Sequence, residues 1–160
     1  MIREVSKADV PECVEAIRKS FQTVADELGF TSENAPRFTA FATTGERLLA
    51  QLDDKNRHMY AYVCDGYIVG YFSLLVKDGG SCELNNLCVL PEHRHKRMGA
   101  ELLERAFDNA RALGCGRMDI GIVEENKVLR RWYEGFGFVH TGTEKFDSFP
   151  FTCGYMEKIL

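Results

Sequence analysis

The chain has 160 residues, 45% hydrophobic and 28% charged, with a formal net charge of −4. That length supports one domain over residues 1–160 with a core that needs no metal or disulfide staple. The acidic balance supplies no general field for nucleic acid, and no apolar run approaches the roughly 20 residues that span a bilayer. The N-terminus lacks the apolar stretch of a signal peptide, so the expected setting is the cytoplasm, with no membrane or nucleic-acid partner. The six cysteines include no C-x-x-C pair and no zinc-ligand spacing; reduced thiols and no metal are expected.

In chain order, alternation over 2–5 predicts a first strand. Asp9 and Glu12 form a capping-box-like pair, with Pro11 tolerated in the first turn of a helix. Val10, Cys13, Val14, Ile17, Phe21, Val24 and Leu28 recur at helical spacing until Gly29 ends it. Phe30 to Thr44 is looser, holds Pro36, Phe38 and Phe41, and reads as a mobile flap. A second helix fits 45–53. Strands at 58–64 and 67–76 flank Asp65-Gly66, a hairpin turn signal. A further strand covers 81–89, a helix 98–113 closed by Gly114, a strand 117–123, a helix 126–136, and two terminal strands 138–146 and 152–159. This order gives an α/β fold in which the strand–helix–strand over 82–123 is a parallel crossover.

The most informative stretch, Leu87 to Leu103, reads L-C-V-L-P-E-H-R-H-K-R-M-G-A-E-L-L. An apolar strand runs through a basic loop into a helix. Backbone N–H groups at a helix start, with cationic side chains around them, favour an anion such as a phosphate. A solvated charged face is the alternative for Arg94, Lys96 and Arg97.

Arg94-His95-Lys96-Arg97-Met98-Gly99-Ala100 resembles the acyl-CoA signature of the GNAT N-acetyltransferases, [QR]-x-x-G-x-[GA], with Arg97 where the first Gly is expected. Glu83 to Pro91 is similar to the strand that precedes that loop. Asn126 to Phe138 resembles the family's second signature, N-x(6)-[YF]-x(3)-GF. The resemblance implies a mixed, mostly antiparallel central sheet with a parallel splayed strand pair, flanked by about four helices. It also implies an acetyl-CoA-dependent N-acetyltransferase that uses an amine acceptor.

On that resemblance, backbone N–H groups from His95 and Lys96 through Met98, Gly99 and Ala100 cradle the pyrophosphate, and Arg94 and Lys96 add charge. Arg97 either meets the 3′-phosphate of CoA or faces water. It is tolerated only where the loop does not need φ > 0. The pantetheine arm adds along the backbone of Leu87, Cys88 and Val89, and the Val89 N–H polarises the thioester carbonyl. Tyr133 donates a proton to the departing sulfur, while Asn126 caps its helix or bonds the pantetheine. Glu83, sharing a face with Asn85, is the candidate base, with a water wire as the alternative. Cys88 raises the question of an acyl-cysteine route, but no activated thiolate is indicated and direct transfer is expected.

The resemblance further implies an acceptor pocket built from the first two helices, their connecting loop and the last hairpin. Asp26, Phe30, Asn85 and Phe149 are the candidate contacts, suited to a cationic amine with an apolar body. A small-molecule primary amine is preferred over a protein amine. A non-catalytic acyl-CoA sensor is the rival reading, and oligomeric state is open, a homodimer included.

Overall fold

The computed structural model describes all 160 residues. Seven strands form: β1 (Ile2–Glu4), β2 (Arg57–Cys64), β3 (Tyr67–Lys77), β4 (Ser81–Val89), β5 (Arg117–Val123), β6 (Val139–Lys145) and β7 (Thr152–Ile159). They share one sheet in the order β1-β2-β3-β4-β5-β7-β6. Every neighbouring pair is antiparallel except β4–β5, which is parallel, as the sequence leads one to expect. No helix is long and apolar enough to cross a membrane.

The helices are α1 (Val10–Leu28), α2 (Thr39–Ala42), α3 (Gly45–Leu52), α4 (Met98–Ala112) and α5 (Lys127–Gly135). One sheet face buries Phe72, Leu74, Leu84, Ile120 and Met156 against Leu102, Leu103, Ala106 and Phe107 of α4 and Tyr133 of α5. The opposite face buries Met59, Ala61, Tyr71 and Cys88 against Cys13, Ala16 and Ile17 of α1 and Leu48 of α3. Period 2 in the strands and 3.6 in the helices dictate both layers.

Two local readings need correction. Asp9 and Glu12 do not form a capping box with each other. The Asp9 carboxylate instead accepts from the Ser6 N–H at 2.7 Å and pairs with Arg3 at 2.7 Å. The Arg3 hydrogen bonds hold it well below the usual carboxylate range. Glu12 reaches across to the sheet and accepts from the Ile68 N–H at 2.8 Å.

The second correction concerns Phe30 to Thr44, which is not a flap. Ala35, Phe38 and Ala40 are buried with Phe30 and Phe151 in a separate apolar cluster. The Phe38 ring lies 5.1 Å from Phe30 and 6.0 Å from Phe151. The short helix α2, beyond the expected four, forms within this packed segment. Residues distant in sequence hold it in place, which no local pattern reveals.

Candidate active site

The site begins at a fault in the sheet. Pairing between β4 and β5 stops at Leu84–Ile120, and beyond it the two strands splay. On the other side of β4, Tyr71 opposes Cys88 but Ser73 opposes Asn85, so two residues, Asn86 and Leu87, face Phe72 alone. This is a β-bulge, and Asn86 adopts φ +55° within it. The extra residue turns Cys88 toward α1 and Val89 toward α4, the reverse of uninterrupted alternation.

The bulge also aims backbone groups into the gap. The Leu90 N–H donates to the Val69 carbonyl at 2.8 Å. The adjacent Gly70–Val89 pair is therefore of the non-hydrogen-bonded type, and its Val89 N–H points away from β3 into the space beside β5. An extended ligand arm can pair there as an added strand.

Past Val89 the chain turns through the basic loop into α4. No side chain caps that helix, so the first N–H groups, from Met98, Gly99 and Ala100, have no partner within the helix. His95, Lys96 and Arg97 are exposed. Arg97 occupies the N-cap with φ +65° and ψ −1°, and His95 has φ +62°. The position where the signature has Gly thus does adopt the left-handed conformation, and Arg97 bears it. A Cβ on Gly99 would meet Trp132 at 3.6 Å and Val89 at 3.9 Å, ordinary contacts; the protein alone does not require glycine there.

Arg94 departs from expectation. Its guanidinium turns inward, donating to the Val89 carbonyl at 3.1 Å, Thr23 Oγ1 at 3.0 Å and the Ser20 carbonyl at 2.8 Å. It fastens the loop to α1 instead of extending charge beside a phosphate.

The splayed strands open onto a cleft of ≈ 270 Å³. Asn85, Asn86 and Leu87 of β4 and Gly121 to Val123 of β5 form its floor. Phe21, Phe38, Phe149, Phe151 and Tyr155 supply aromatic walls, with Asn126, Leu129 and Tyr133 at the α5 side. Asn126 Oδ1 accepts from the Leu129 N–H at 3.2 Å and so caps α5.

Tyr133 is buried, packed edge-on against Trp132 at 5.0 Å and Phe138 at 5.3 Å. Burial, and secondarily the neighbouring Cys88, push its hydroxyl pKa far up. It is a proton-carrying group at any physiological pH. Burial likewise pushes the Cys88 thiol up to about 12, so a cysteine nucleophile finds no support.

Glu83 lies at the opposite rim in a polar chain. Asn85 Nδ2 donates to Glu83 Oε1 at 2.7 Å, Lys77 Nζ pairs with Glu83 Oε2 at 2.6 Å, and Arg57 Nη1 donates to Asn85 Oδ1 at 3.0 Å. Burial is the largest single influence on its carboxyl and pushes the pKa up. The hydrogen bonds from Asn85 and Lys77 and the charges of Lys77 and Arg57 together outweigh it, so the net shift is down.

Of the expected acceptor contacts, Asn85 and Phe149 line the cleft. Asp26 is exposed and receives Gln22 Nε2 at 2.9 Å on the outer side of α1. Phe30 is packed behind the wall, 5.1 Å from Phe151. Sequence reasoning missed Arg37 and Thr39, which also line the cleft; only their nearness to Phe38 hinted at them.

Residues 21–138 match the Acetyltransferase (GNAT) family. The chain belongs to that family. Membership makes it an acetyl-CoA-dependent N-acetyltransferase. An uncharacterised N-acetyltransferase of Mycobacterium tuberculosis is 29% identical over 114 residues, 71% of this chain and 73% of its own. The thialysine N-epsilon-acetyltransferase of Bos taurus is 25% identical over 141 residues, 86% of this chain and 82% of its own. The PaiA N-acetyltransferase of Thermoplasma acidophilum, solved with coenzyme A, has the same fold. It superposes with a TM-score of 0.84 at 21% identity, covering 100% of this chain and 98% of its own. The GNAT fold therefore spans all the elements described above.

Proposed function

We propose that this GNAT enzyme transfers an acetyl group from acetyl-CoA to the primary amine of a small molecule by direct attack in a ternary complex. The observation that carries the reading is that the β4–β5 splay opens directly onto an aromatic-walled cleft with Tyr133 beside it. Donor and acceptor then meet at one place, and orientation supplies much of the rate.

The residues fit the donor. The uncapped N–H groups of Met98, Gly99 and Ala100 receive the pyrophosphate, with the helix dipole and Lys96 favouring it. The open backbone of Leu87 and Val89 holds the pantetheine, and the Val89 N–H faces the thioester oxygen. Bound there, acetyl-CoA supplies the activated acetyl group. Tyr133 gives a proton to the leaving sulfur. Glu83, ionised at neutral pH, accepts the amine proton, through water where the acceptor does not reach it.

A cleft this small suits a compact amine better than a folded chain end. The small primary amine named for the bovine relative is consistent with that preference. With no helix suited to a membrane, the cytoplasm, where acetyl-CoA is available, is the proposed setting. The test is an acetyl-CoA consumption screen over small amines and peptides, read by thiol release. Faster release with small amines is expected. Release with peptides alone refutes the acceptor class, and tight CoA binding with no release on any acceptor identifies a sensor.

A further inference from the structure

Only two of the side chains lining the cleft are ionised, Glu83 and Arg37. The two differ sharply in surroundings. Glu83 is engaged by Lys77 and Asn85, whereas Arg37 is exposed and takes no part in any hydrogen bond or ion pair that ties the protein together. Arg3, Arg94, Arg117 and Arg130, by contrast, all spend their guanidinium on internal partners.

Arg37 is nevertheless not on a loose loop. Ala35 and Phe38, on either side of it, are buried. The Ala35 N–H donates to the Thr31 carbonyl at 2.9 Å and the Phe38 N–H to the Ala35 carbonyl at 3.0 Å. Asn34 Nδ2 ties the same segment to the Gly29 carbonyl at 3.0 Å. Arg37 thus brings a planar guanidinium, on a fixed backbone, to a cleft whose lining is mostly hydrophobic, and such a group can take two oxygens of an anion.

We infer that Arg37 recognises a carboxylate on the acceptor, so that the substrate is a primary amine carrying an anionic group at its far end. This rests on the reading of the cleft as a small-amine site. The amine lies at the β4–β5 splay between Tyr133 and the Glu83 rim, the apolar body runs along Phe149 and Phe151, and the carboxylate meets Arg37. Each end of such a zwitterion finds the opposite charge, and its methylenes find apolar wall. A diamine would instead bring a cation against Arg37.

The experiment compares ω-amino acids of two to six methylenes with n-alkylamines and α,ω-diamines of matching length, by kcat/KM for thiol release. The wild type, Arg37→Gln and Arg37→Glu are each assayed, and the Kd for CoA is measured alongside. The wild type is expected to favour the ω-amino acid at least tenfold at the best length. In Arg37→Gln that ratio should fall below threefold, and in Arg37→Glu diamines should overtake the amino acids. The Kd for CoA should stay within twofold throughout. An unchanged ratio in Arg37→Gln, or a weakened CoA complex, overturns the assignment. Acetylation of alkylamines without preference removes the role of Arg37 and leaves the small-amine reading standing. Turnover of peptides alone removes both.

Discussion

Replacing Arg97 with glycine should make the free protein slightly more stable, contrary to the usual effect of introducing glycine. Arg97 sits at φ +65°, and a residue with a Cβ pays about 1–2 kcal/mol for the left-handed region. Glycine removes that strain but raises the entropy of the unfolded chain by about 0.5–1 kcal/mol. Arg97 is exposed and N-caps α4 without a side-chain hydrogen bond, so no contact is lost. The balance is a gain of roughly 0.5–1 kcal/mol for Arg97→Gly. Arg97→Ala retains the strain and should stay within about 0.5 kcal/mol of wild type. Urea denaturation of the three proteins at constant m-value reads both numbers. Both variants lose a cation beside the α4 N-terminus, so both should bind CoA several-fold more weakly, with a shallower salt dependence. A glycine variant less stable than wild type by about 0.5–1 kcal/mol, the entropy cost with no strain relieved, would show that the loop is not strained at this position.

Further outcomes follow from other parts of the molecule. Asn85→Ala and Arg57→Gln each remove support for the Glu83 carboxylate, so its lowered pKa should rise and the acid limb of kcat/KM should move to higher pH; a stationary limb means Glu83 is not the base. The lowered Asp9 carboxyl gives stability that is present above its unfolded pKa, about 4, and is lost as pH falls toward the folded value. Asp9→Asn should therefore cost about 1–2 kcal/mol at neutral pH and flatten the acid limb of stability, checked by denaturation across pH. A Cβ on Gly70 would lie 2.9 Å from Leu102 Cδ1 and 3.1 Å from the Cys88 carbonyl. Gly70→Ala should lower stability by about 1–3 kcal/mol through overpacking beside the bulge, as thermal unfolding would report.

The sequence made the donor side legible because that side is built from contiguous chain. Leu87 to Leu103 carries strand, loop and uncapped helix start in one run, and Asn126 to Phe138 carries the cap, Tyr133 and the closing turn in another. The acceptor side was opaque for the opposite reason. Phe30, Phe38 and Phe151 come together only through tertiary packing, so Phe30 to Thr44 showed no period and read as a flap. Arg94 looked like its basic neighbours in sequence, and only the approach of Ser20 and Thr23 on α1 turned it inward. Arg97 raised a question about backbone conformation that composition cannot answer; the dihedral angle does. Arg37, a lone cation in an irregular segment, had no spacing to announce it. Its meaning depends on buried Ala35 and Phe38 beside it.

The central claim is that Tyr133 protonates the departing thiolate at the β4–β5 splay. Its hydroxyl has no hydrogen-bond partner shifting it, so Tyr133→Phe should fold with stability within about 0.5 kcal/mol of wild type. The most direct measurement is the single-turnover rate of acetyl transfer in Tyr133→Phe, with the Kd for CoA measured on the same sample. A rate loss of about 100-fold or more with CoA affinity within twofold of wild type is the predicted result. An undiminished rate contradicts the account.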